Sequence, residues 1–356
     1  MTVLRPELLT LAEVPHGSLA ASEAHGRADV LDLSANLSPL GPPPAVIMAV
    51  RAARLDAYPE PDARTFRAAV ADRVGVTPEQ VAAGNGASEL IWLAALAAVR
   101  PGARVPILGP TFGEYARAVR VAGGEPVLVH AQPPDFLPPV EAFVDALERL
   151  APPIAFLCNP NNPTGALLPR SAIERLLRAA PATLLVIDEA YLPFSGAPDL
   201  VPLLEWGNVL LIRSLTKVYA IPGVRLGYAL ASPAVATTLR RIAPPWSVSA
   251  PAIAAGLAAL RDPAWEQRAA ATARLERERL AAGLRARGLR PLPSAANFLL
   301  VAVPNAPAVR RTLLERGVLV RDCASFGLPD YLRIAAGPPN AIDRLLAVWP
   351  AREDER

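Results

Sequence analysis

The chain has 356 residues, 52% hydrophobic and 19% charged, which suffices for a sizeable core in about two domains. Its net charge of +3 arises from arginines interspersed with Asp and Glu, without the basic stripe and interleaved aromatics that nucleic-acid binding needs. Two distant cysteines (Cys158, Cys323) and three histidines (His16, His25, His130) have no metal-ligand spacing, so neither a disulfide framework nor a metal site is expected.

The amino-terminal MTVLRPELLTLAEVPHG lacks the long apolar core of a secretory signal. The longest apolar run, LIWLAALAAV (90–99), is too short to span a bilayer. A soluble, cytoplasmic protein with no membrane partner is expected. Residues 1–45, with LDLSANLSPLGPPP, read as an irregular arm packing on a smaller domain and the active site. Residues 46–245 read as a large domain. Within it VPILG (105–109), PVLVH (126–130), IAFLCN (154–159), TLLVIDEA (183–190), VLLIRS (209–214) and LGYALA (226–231) have the apolar character of buried strands. Helix-period segments such as RSAIERLLRAA (170–180) lie between them, which predicts an α/β domain on a mostly parallel sheet. The pattern breaks at Pro244 and Pro245. A long charged helix (265–288) follows, expected to bury one stripe, and then NFLLVAV, GVLVRDC and YLRIAA, which predict a smaller α/β domain over 246–356.

Lys217, in SLTKVYAIPGVRLGYAL, is the only lysine of a Lys+Arg total of 36. An amine can form a Schiff base with an aldehyde, whereas a guanidinium, always protonated, cannot. Arginine would serve as well as lysine for a side chain that only snorkels to the surface, so this position points to chemistry. Leu215, Val218 and Ile221 nearby would desolvate the amine and lower its pKa.

If the aldehyde is that of pyridoxal 5'-phosphate, the chain must also supply phosphate donors, an anion for the pyridinium nitrogen and donors for the phenolic oxygen. Asp188 ends the run TLLVID, at the strand end where α/β proteins bind ligands, and Tyr191 follows it. NPNNPTG ends another strand and offers Asn162. AAGNGASEL places Gly86, Ala87 and Ser88 just before an apolar helix, whose free N–H groups suit a phosphate. Ser214 and Arg225 flank the lysine.

The order of these motifs (GNGASE, PTFGEY, NPNNPTG, DEAY, SLTK with Arg225, and YLRIA) resembles the fold-type I pyridoxal-phosphate enzymes of aminotransferase class I/II over nearly the whole chain. The resemblance implies a large domain with a mostly parallel sheet of seven-stranded type and a smaller carboxy-terminal domain. It gives Lys217 the role of Schiff-base lysine and proton carrier, and Asp188 that of partner to the pyridine nitrogen. Asn162 and Tyr191 would hold the phenolic oxygen. Ser88, Ser214, Arg225 and the backbone at Gly86 and Ala87 would hold the phosphate. Phe112 would stack on the ring, with Tyr115 the second candidate, and Arg333 would grip a substrate carboxylate. YPEP, with Tyr58, resembles a segment that reaches a neighbouring subunit's site, which implies a homodimer. Two branches of the family handle small phosphorylated amines or amino acids. The arm, with His16 and Asn36, and VRDCASFGL, with Arg321, lean toward decarboxylation of L-threonine O-3-phosphate to (R)-1-amino-2-propanol O-2-phosphate in cobalamin synthesis. Transamination of histidinol phosphate with 2-oxoglutarate is the alternative. His16, Asn36, Arg321 and Arg333 are the expected substrate-binding residues.

Overall fold

Strands with no polar alternation must be covered on both faces, and the runs rich in Val, Ile and Leu are built into the middle of a sheet. The computed structural model describes residues 5–18, 22 and 24–350. Its strands are β1 (Leu31–Asp32), β2 (Val81–Gly84), β3 (Arg104–Gly109), β4 (Glu125–His130), β5 (Ile154–Cys158), β6 (Leu184–Asp188), β7 (Val209–Ser214), β8 (Gly227–Ala231), β9 (Phe298–Ala302), β10 (Val318–Leu319), β11 (Arg321–Cys323) and β12 (Leu328–Ala335).

Seven of them form one sheet in the order β2-β8-β7-β6-β5-β3-β4. The run from β7 to β4 is parallel, and β8 lies antiparallel between β7 and β2. This is the mostly parallel sheet that the alternation predicts. β5 and β8 are buried along their whole length, β6 and β7 at all but one residue, and β4 alternates in exposure as an edge strand does. The carboxyl ends of β2, β3, β5, β6 and β7 therefore share one edge, and β8 starts there. Cys158 is paired with Asp188, and Ser214 with Gly227.

A second, antiparallel sheet has the order β11-β12-β9, with Arg321 opposite Arg333. Its core gathers Val301, Leu313, Ile334 and Ile342. GVLVRDC, expected as a single strand, is split at Val320: β10 leaves to pair in parallel with β1 of the arm, and β11 stays with β12. The arm is thus hydrogen-bonded to the carboxy-terminal third of the chain.

The long helix Pro263–Arg285 buries Ala269, Ala273, Glu276, Leu280 and Leu284, one stripe at helical spacing. Ala269 and Ala273 belong to the large core, Leu280 and Leu284 to the small one. The helix Ala250–Leu260 also buries Ala252, Ala255 and Ala259 in the large core. We therefore propose that the division expected near residue 245 is better drawn inside the long helix, where the stripe passes from one core to the other. No helix among the described residues is long and apolar enough to cross a membrane.

Candidate active site

The shared strand edge opens into a cavity of about 340 Å3. β7 brings in the lysine. Ser214 ends the strand and caps the short helix Leu215–Val218, its hydroxyl accepting from the Thr216 N–H at 3.3 Å. That turn carries Lys217 into the cavity. Burial, and next the guanidiniums of Arg333 and Arg225, lower its amine to about 8. One strand away, the Asp188 carboxyl is buried and pushed up by that burial, opposed by hydrogen bonds from Tyr115 and the Ala190 N–H. The Tyr115 hydroxyl donates to Oδ2 at 2.7 Å, and the Ala190 N–H to Oδ1 at 2.9 Å. Strand alternation sends the neighbours Glu189 and Arg213 away from this cavity, where they pair with each other at 2.7 Å.

At one end of the cavity Gly86, at φ 78, precedes the helix Ala87–Ala98, which has no side-chain cap. The first-turn N–H groups are left for a ligand. A Cβ at Gly86 would sit 2.6 Å from Nη2 of Arg225, so only glycine lets the guanidinium close on the turn. Ala87, Ser88, Ser214, Thr216 and Arg225 line this end.

At the other end Arg333, buried on β12, donates to Asn162 Oδ1 at 2.5 Å and to the Ser34 carbonyl at 2.6 Å. Asn36 of the arm donates to the Tyr191 hydroxyl at 3.1 Å, and the Ser38 N–H to the Lys217 carbonyl at 3.0 Å. Burial pushes the Tyr191 phenol up to about 12. His16 lies against Phe112, with Nε2 3.5 Å from Oε1 of the buried Glu114.

The structure brings together Lys217, Asp188, Tyr191, Asn162, Ala87, Ser88, Ser214, Arg225, Phe112, Arg333, Asn36 and His16 as cavity lining, with Gly86 at the margin. Two expected residues stand apart. Arg321 is engaged by the Pro15 carbonyl at 2.9 Å and the Ser325 hydroxyl at 2.7 Å, beside the cavity rather than in it. Tyr58 is 83% exposed and tilted against Trp246, outside its own chain's cavity. Reading the sequence missed Cys158 and Thr216. Both adjoin a motif at a strand end, Cys158 before NPNNPTG and Thr216 inside SLTK, and that position was the available signal.

These residues fit pyridoxal phosphate. An uncapped helix start beside a guanidinium and two hydroxyls suits the phosphate, and a buried carboxylate in the middle suits the ring nitrogen. Two buried cavity atoms, Asn36 Oδ1 and Arg333 Nε, have no partner among the described residues, as expected where a ligand completes a polar network.

Residues 28–348 match the family model described as aminotransferase class I and II. A curated histidinol-phosphate aminotransferase of Symbiobacterium thermophilum is 39% identical over 92% of this chain and 91% of its own. The structure of histidinol-phosphate aminotransferase from Sinorhizobium meliloti, in complex with pyridoxal-5'-phosphate, superposes with a TM-score of 0.87 at 28% identity, covering 98% of this chain and 97% of that one. L-threonine-O-3-phosphate decarboxylase from Porphyromonas gingivalis has a TM-score of 0.77 at 27% identity, covering 89% and 97%.

Proposed function

The chain belongs to the aminotransferase class I and II family, with its fold-type I architecture and its cofactor pyridoxal 5'-phosphate, and on that premise we propose that it transfers an amino group between a small phosphorylated amine of the histidinol-phosphate kind and 2-oxoglutarate. The observation that carries the choice is the 39%-identical curated histidinol-phosphate aminotransferase, matched almost end to end. The leaning toward threonine-phosphate decarboxylation gives way to it, because the neighbour that carries that activity's name is a solved structure at 27% identity.

When bound, the cofactor supplies an aldehyde and a conjugated ring able to accept electrons released at the substrate's α-carbon. Lys217 is the nucleophile toward that aldehyde. Its amine, lowered to about 8, is about one-tenth unprotonated at pH 7, and once the substrate's own amine has displaced it from the aldehyde carbon it can take and return a proton at the α-carbon. Asp188 would hold the ring nitrogen protonated, and Tyr191 and Asn162 would bind the phenolic oxygen. Phe112 would pack against the ring. Ser88, Ser214, Arg225 and the N–H groups at Gly86 and Ala87 would hold the phosphate.

A transaminase takes two substrates in turn, and the guanidinium of Arg333 can match the oxygens of a carboxylate or a phosphate with the same fork. His16 and Asn36 frame the substrate's tail from the arm, and Arg321 of β11 holds the arm beside them through the Pro15 carbonyl. The deciding test is a paired assay. Turnover of histidinol phosphate that requires 2-oxoglutarate, with no carbon dioxide from threonine phosphate, is expected. Carbon dioxide released from threonine phosphate without a 2-oxo acid would reverse the assignment.

The working unit is a homodimer in this reading, with Tyr58 directed at the partner's phosphate end. Support comes from the exposed Met48, Leu55, Tyr58 and Trp246, apolar surface that a second copy would cover. A fully active monomer in sedimentation would rule it out.

A further inference from the structure

The PTFGEY segment supplies two aromatic rings, and the structure separates their tasks. Phe112 lines the cavity before the helix Glu114–Val121 begins. Tyr115, three residues on, has no exposed surface. Its ring stacks on Phe156 at 5.6 Å and meets Phe112 edge-on at 5.8 Å, and its hydroxyl reaches Asp188 Oδ2 at 2.7 Å. Both rings border the cavity, but that of Tyr115 is the more enclosed, which favours Phe112 for stacking on a cofactor.

We propose that Tyr115 is the positioning residue of Asp188, its hydroxyl holding the carboxylate ionised and turned toward the ring nitrogen. The geometry accounts for each oxygen. Oδ1 receives the Ala190 N–H and Oδ2 the Tyr115 hydroxyl. Each oxygen keeps a second lone pair, and one of them is free for the ring nitrogen. Both donors belong to the protein, so the carboxylate is held before a cofactor arrives, which is how preorganised electrostatics act. The other titratable groups facing Asp188 are Lys217, Cys158, Tyr191 and Glu189. Of these, only Lys217 joins Tyr115 in favouring the ionised form.

This inference rests on the reading of Asp188 as partner of the ring nitrogen, and the test separates the two. Wild type, Tyr115→Phe, Asp188→Asn and the double variant are compared in cofactor affinity and, as apoproteins, in thermal midpoint from pH 4 to 8. Asp188 is raised on folding, so its contribution to stability is present in full below its unfolded value and is lost as pH rises through the folded one. Removing the Tyr115 donor raises the folded value further. The midpoint deficit of Tyr115→Phe should therefore widen as pH rises through the folded value of wild-type Asp188, which lies above the ordinary carboxylate range, and the widening should vanish in the Asp188→Asn background. Cofactor affinity should fall roughly tenfold, the scale of one hydrogen bond to a charged group. A deficit equal at every pH, or undiminished beside Asp188→Asn, would reduce Tyr115 to packing and overturn the proposal. Asp188→Asn binding the cofactor as wild type would instead sink the reading of Asp188, while the pH signature of the apoprotein would still judge Tyr115.

Discussion

The two ends of the cavity are built by different means. At the sheet end Asp188 and Ser214 are the last residues of adjacent parallel strands, and Lys217 stands three residues beyond Ser214. Ladder pairing on both sides holds Asp188, and pairing with β8 holds Ser214. At the mouth Ser34, Asn36 and Asn162 come from irregular chain and Arg333 from the second sheet, and the bond between Arg333 and the Ser34 carbonyl joins residues 299 apart in sequence. The sheet end is formed by the fold itself, before anything binds. The mouth exists only when the arm and the second sheet are docked together. Damage at the sheet end should therefore appear in chemistry and cofactor capture, and damage at the mouth in substrate affinity.

The largest effect should come from Lys217→Ala. With no second lysine in the chain to substitute, activity should drop by roughly 10^3-fold or more and the visible absorbance of the bound cofactor should disappear. Turnover at the wild-type rate would end the assignment. Asp188→Asn should follow, losing about 10^2- to 10^3-fold in kcat with the far-ultraviolet circular dichroism preserved. A third test uses pH. The amine is protonated below about 8, so apoprotein should capture the cofactor roughly tenfold more slowly for each unit of pH below that value, then level off above it. Stopped-flow absorbance reads this directly, and a flat profile from pH 6 to 8 would contradict the lowered amine.

The mouth should answer differently. Arg333→Lys keeps the charge but loses the fork that binds Asn162 and the Ser34 carbonyl, and should raise KM about tenfold while leaving cofactor affinity within about twofold. If cofactor affinity collapses instead, the two ends are not separable in the way drawn here. The smallest change is expected for Glu114→Gln. Its neighbour His16 is half exposed, so weakening this contact should move KM by no more than about fivefold.

The same contrast explains what could be read from sequence. Asp188, Asn162 and Ser214 were legible because each ends a continuous apolar run, and an edge of parallel strands gathers whatever follows those runs. Lys217 was legible by its uniqueness. The partner of Asp188 was not, because Tyr115 reaches it from a helix 73 residues earlier in the chain, and no periodicity records that contact. Arg321 and Arg333 alternate onto neighbouring strands, yet which of them enters the cavity depends on the register between β11 and β12 and on where the arm lies. Pairing Arg321 with Arg333 set both guanidiniums side by side, and the Pro15 carbonyl then claimed one of them. The choice of reaction was the least legible. It turns on the angle at which the substrate's anionic groups are held, which motifs shared by two branches of a family do not encode.

The pairing of β1 with β10 also bears on how the protein is made. Leu31 leaves the ribosome long before its partner Val318, so the arm must wait for all the intervening chain before its hydrogen bonds can form. The central sheet needs nothing beyond residue 231 for its own strands and can assemble first. Contacts of such long sequence separation close late because the loop between them must be ordered before they repay it. A nascent chain stalled before β10 would already hold Lys217 and Asp188 but would lack Arg333 and the strand that anchors the arm. Synthesis order thus gives the enzyme its cofactor end before its selectivity, and completes the mouth only when the last strands arrive.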